Sequence, residues 1–132
     1  MKISRYIDVE ETIRAALADY MTCYVKPLPA DFTVPSIEIT AVGGSEDNTI
    51  DTFDVVLDSR AADEYTAQLN LRNAVGLVKA IAHSQTTALR FAKCNTLGSW
   101  GKDPVRPELA MCSARLNVTA HAEKVEVPKN GH

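Results

Sequence analysis

The chain has 132 residues, enough for one domain whose core holds without disulfide or metal staples. An apolar fraction of 45% and a charged fraction of 23% exclude a disordered chain. The formal net charge is -3, with 14 basic residues scattered among 17 acidic ones, so a broad phosphate-binding face is not expected.

Asp8, followed three residues later by Glu11, has the spacing of a helix capping box. Val9, Ile13, Ala16, Leu17, Tyr20 and Met21 then recur as one apolar stripe, which predicts a first helix over 8–22. Pro27 and Pro29 stop its continuation, because proline has no N–H to give. Next, Ile37, Ile39 and Ala41 alternate with Glu38 and Thr40, the period of a half-buried strand. Gly43-Gly44 is read as its end, at a hairpin turn, with Ser45-Glu46-Asp47-Asn48 as a polar loop. A second strand is expected over 49–58, with Phe53, Val55 and Leu57 on one face.

Asp58-Ser59 offers capping residues for a second helix over 60–82. Gly76 inside it costs about 1 kcal/mol relative to alanine, and close packing against the sheet is the expected reason for it. A third strand over 86–93 puts Thr87, Leu89 and Phe91 on one side. The glycines and prolines of 95–107 predict a long loop, functional or mobile, with Trp100 at its centre. The last strand, 109–120, alternates most cleanly. Ala110, Cys112, Ala114, Leu116, Val118 and Ala120 face one way, and Met111, Ser113, Arg115, Asn117, Thr119 and His121 the other. The residues after Val127 read as a loose tail.

The order α-β-β-α-β-β predicts an α+β fold: one mainly antiparallel four-stranded sheet with helices packed on one face. The expectation is one domain over 1–127 with a flexible tail over 128–132.

The residue types that carry chemistry are dispersed. Cys23, Cys94 and Cys112 form no CxxC pair, and an odd count argues against a disulfide framework, so buried thiols in a reducing cytoplasm are expected. His83, His121 and His132 lack metal-ligand spacing. Gly43-Gly44 leads to a strand rather than a helix N-terminus, which a phosphate loop would need. The acidic stretch Glu46, Asp47, Asp51 and Asp54 lacks the EF-hand pattern and reads as solvated. No catalytic residue, metal or cofactor is therefore assigned, and the chain is not expected to be an enzyme. The segment after Met1 is not an apolar signal core, and no apolar run approaches the roughly 20 residues of a membrane helix, so no membrane partner is expected.

Trp100 is the one tryptophan, either an anchor for a partner or a lid over the core. Arg106 and Arg115 are candidates for ion pairs between subunits or, by default, within the chain. The candidate assembly residues are Glu46, Asp47, Asp51, Trp100, Arg106 and Arg115. The alternative is a small ligand-binding domain or enzyme that uses the Trp100 loop and pairs Cys94 or Cys112 with a histidine such as His83.

The layout over roughly residues 8–120 resembles the tail-terminator proteins of long-tailed bacteriophages, also described as minor tail or tail-completion proteins. The features that carry the resemblance are an N-terminal amphipathic helix, then Leu28-Pro29-Ala30-Asp31-Phe32-Thr33-Val34-Pro35, and a strand ending in Val42-Gly43-Gly44. A second strand runs into a helix opened by Ala61-Ala62-Asp63-Glu64, and a Trp/Pro segment with Asp103-Pro104 and Arg106 leads into the closing strand. The resemblance implies a structural role. Such proteins form a ring, usually a hexamer, on the end of the tail tube, halt polymerisation of the tube protein and meet the head-side connector. DNA passes through the ring unread. The implied location is the virion tail, after assembly in the bacterial host cytoplasm.

Overall fold

The computed structural model of the chain describes residues 1–47 and 50–130. Among these, nine elements follow in order: β1 (Lys2–Arg5), α1 (Val9–Leu17), β2 (Cys23–Val25), β3 (Ser36–Ser45), β4 (Asp51–Ala61), α2 (Glu64–Ser84), β5 (Leu89–Lys102), β6 (Ala110–Ala120) and β7 (Glu123–Glu126). Asn48 and Thr49, expected in the polar loop and at the start of the second strand, lie outside the described residues. So do Gly131 and His132 of the expected tail.

The expected single four-stranded antiparallel sheet is corrected on three counts. The main sheet has five strands in the order β2-β3-β4-β6-β5, and it is mixed because β2 runs parallel to β3. A separate two-stranded sheet pairs β1 with β7, from Lys2 opposite Glu126 to Arg5 opposite Glu123. Strand, not helix, dominates the chain. The three missed strands are short, three or four residues each, and too brief to show a period.

The alternations of the second and last strands hold. Val55 and Leu57 of β4, and Cys112, Leu116, Val118 and Ala120 of β6, are buried among Ile37 and Ile39 of β3. Val9, Ile13 and Leu17 of α1, and Ala67, Leu71, Ala74, Val78 and Ala82 of α2, close over them. The Asp8 carboxylate caps α1 by accepting from the Glu11 N–H at 3.1 Å. The cap of α2 is Asp63, not Asp58-Ser59, and it accepts from the Thr66 N–H at 2.8 Å. β4 runs on through those two residues, since Ser59 is buried and its hydroxyl bonds the Ala67 carbonyl at 2.7 Å. No described helix is long and apolar enough to cross a membrane.

Both glycine readings in the body of the chain are also corrected. Gly43-Gly44 is no turn but part of β3, just past a bulge between Ala41 and Gly43. A Cβ on Gly44 would lie 2.2 Å from the Thr52 carbonyl oxygen, so the crossing of the two strands requires glycine there. Gly76 is not packed on the sheet: it is exposed, with nothing within 4 Å of a Cβ built on it.

Candidate functional site

The face of the sheet away from the helices is polar. Asn95, Asn117 and Asp54 form a hydrogen-bonded row across β5, β6 and β4, and Ser113 donates to Asp58 two steps along the same face. Arg115 projects among them as an exposed cation.

At one end of this face lies a buried charge cluster that the sequence did not single out. Arg60 donates from Nη1 to Glu38 Oε1 and from Nε to Asp103 Oδ2, each at 2.8 Å. Burial opposes the charge on Arg60, yet hydrogen bonds and charge from Glu38 and Asp103 outweigh it and hold the guanidinium above its ordinary pKa. Burial likewise opposes ionisation of Asp103, but the Val105 and Arg106 backbone N–H groups and Arg60 hold its carboxyl below the usual range. Two guanidiniums lie over the Phe32 ring, with Arg60 5.7 Å and Arg106 5.0 Å from its centroid. Arg106 also donates to the Phe32 carbonyl and pairs with Glu108, each at 3.3 Å. Arg106 therefore acts within the chain, joining the segment before β3 to the segment after β5.

The expected long loop over 95–107 is mostly strand. β5 continues to Lys102 and pairs with β6 from Ser99 opposite Ser113 to Lys102 opposite Ala110. The glycines that read as loop serve a bulge: Gly98, at φ 55, lies where the register shifts between Thr96 and Ser99. An earlier shift, between Leu89 and Phe91, buries Leu89 and Ala92 and turns Phe91 out, against the expected face. Trp100 stands on this strand rather than on a loop, opposite Cys112, and at 47% exposed it is not a lid over the core. β5 is the edge of the sheet, and Phe91 and Leu97 are also exposed along it, at 60% and 78%. Its charged residues are Arg90, Lys93 and Lys102, all basic.

Glu46 and Asp51 meet elsewhere, in a cleft of about 670 Å³ between the β1–α1 connection and the β3–β4 hairpin. Tyr6, Ile7, Val9 and Phe53 give it an apolar lining, with Tyr6 edge-on to Phe53 at 6.3 Å. Five carboxylates border it. Asp8 caps α1, Glu10 accepts from the Ala41 N–H at 2.7 Å, and Glu123 pairs with Arg5 at 2.6 Å. Asp51 is 5% exposed, and its side chain has no hydrogen-bond or ionic partner among the described residues. Asp47 is exposed on the same hairpin.

Among the described residues, Cys23 and Cys94 donate to the backbone carbonyls of Met21 and Thr96. Cys112 is fully buried, and burial pushes its thiol pKa up. Burial likewise raises Cys23 to about 11. His83 is exposed at the end of α2. Among the described residues no group of three His, Cys, Asp or Glu could hold a metal ion. No family model and no curated protein matches the chain.

Proposed function

We propose that this chain is a structural subunit of a phage tail, a tail terminator that closes into a ring on the end of the tail tube and stops tube growth. The observation that supports the reading most is the β5 edge. It places Phe91, Leu97 and Trp100 in water along one open strand, apolar surface that a lone chain leaves uncovered. The polar open face beside it needs no further layer, because Asp54 and Asp58 are satisfied within the sheet. Self-association through such an edge, followed by contact with the tube protein and the head-side connector, fits a ring through which DNA passes unread.

The test uses a phage tail-tube protein that polymerises on its own. Purified tube protein is polymerised with and without the chain, and tube lengths and ends are viewed by negative-stain electron microscopy. Short tubes with a ring at one end are expected. Tubes of unchanged length with bare ends would overturn the reading.

A further inference from the structure

The β5 edge and the acidic cleft have opposite charge, and each holds apolar surface. The distal part of β5 carries Lys102, which has no ionic partner among the described residues, beside exposed Leu97 and Trp100. The cleft carries Glu46 and Asp51, whose side chains also have no partner among the described residues, above Tyr6, Ile7, Val9 and Phe53.

The two surfaces cannot serve one another within one chain. The cleft is built at the Asp51 end of β4, and the distal part of β5 lies level with the Ala61 end, two strands away. The 11 residues of β4 separate those ends by roughly 30 Å. Complementary patches at opposite ends of one sheet make a head-to-tail contact, which closes into a ring when the rotation allows. The bulges and lysines of β5 discourage open-ended strand pairing, so side chains rather than backbone would make the contact.

We infer that the cleft receives the Leu97–Lys102 segment of a second copy of this chain, with Trp100 on the apolar lining and Lys102 toward Asp51 and Glu46. This rests on the ring reading and specifies its contact.

Two variants test it by light scattering on the purified full chain. The edge variant is Trp100→Ala with Lys102→Ala, and the cleft variant is Glu46→Lys with Asp51→Asn. Glu46→Lys alone replaces the latter if circular dichroism shows that the pair unfolds. Each variant by itself should associate at least tenfold more weakly than the wild type. Mixed in equal amounts they should form a one-to-one dimer, because one intact edge then meets one intact cleft. Variants that assemble like the wild type, or a mixture that stays monomeric, would overturn the inference and leave the ring reading standing. A wild-type chain that is monomeric at every concentration would overturn both.

Discussion

Arg60 and Asp103, 43 residues apart in sequence, form a fully enclosed ion pair at 2.8 Å that locks the segment after β5 onto β4. Asp103 is 0% exposed and Arg60 is 6% exposed. Replacing Asp103 with alanine leaves a guanidinium in the interior with Glu38 as its remaining carboxylate. The expected cost is about 3–5 kcal/mol, the usual range for breaking a buried pair from one side. Urea unfolding of Asp103→Ala measures it, and a cost below about 1 kcal/mol would mean that water reaches the cluster.

The same pair sets an acid dependence. The Asp103 carboxyl is depressed in the folded chain, so the unfolded chain binds its proton first. Its contribution is fully present above the unfolded value of about 3.9 and is lost as pH falls through the lower folded value. The stability gap between wild type and Asp103→Asn should therefore be constant from pH 7 to about pH 5 and narrow below about pH 4. Denaturant midpoints along a pH series show the trend.

Two glycine replacements should act in opposite directions. Gly44→Ala forces a Cβ to within 2.2 Å of the Thr52 carbonyl and should cost about 1–3 kcal/mol. Gly76→Ala, in open space inside α2, should gain about 0.5–1 kcal/mol. Thermal unfolding of both variants under one buffer makes the comparison.

Thiol chemistry should be muted in the native chain. Burial raises Cys23 to about 11 and also raises Cys112, so little thiolate is present at pH 8. Cys23 should react with a thiol reagent about two orders of magnitude more slowly than a free cysteine of ordinary pKa near 8.5, and the buried Cys112 should also react more slowly than a free cysteine. Denaturation should restore the ordinary rate. Peptide mapping after timed labelling reads each site separately.

Legibility of the fold from sequence followed the length of the periodic signal. Val55 and Leu57, and the run from Cys112 to Ala120, alternate long enough for burial to be read directly, and Asp8 marked its own helix. Where spacing was broken by a bulge the reading failed. Gly43-Gly44 and Gly98 have turn composition, but each lies in or beside a register shift within a strand, and neighbouring strands rather than local residues decide that. The charge cluster was invisible for a related reason: Glu38, Arg60 and Asp103 lie on three separate segments, and only the pairing of β3 with β4 and the fold-back after β5 join them. Among the candidate assembly residues, Glu46 and Asp51 share a cleft, Trp100 lies on the distant β5 edge, Arg106 is engaged within the chain and Arg115 stands on the open face.

The mass of the purified chain in solution, measured by light scattering from micromolar to high micromolar concentration, bears most directly on the proposed role. A closed ring gives one discrete multiple of the 14.4 kDa chain that does not grow with concentration. A monomer throughout, or a mass that rises without limit, would contradict it.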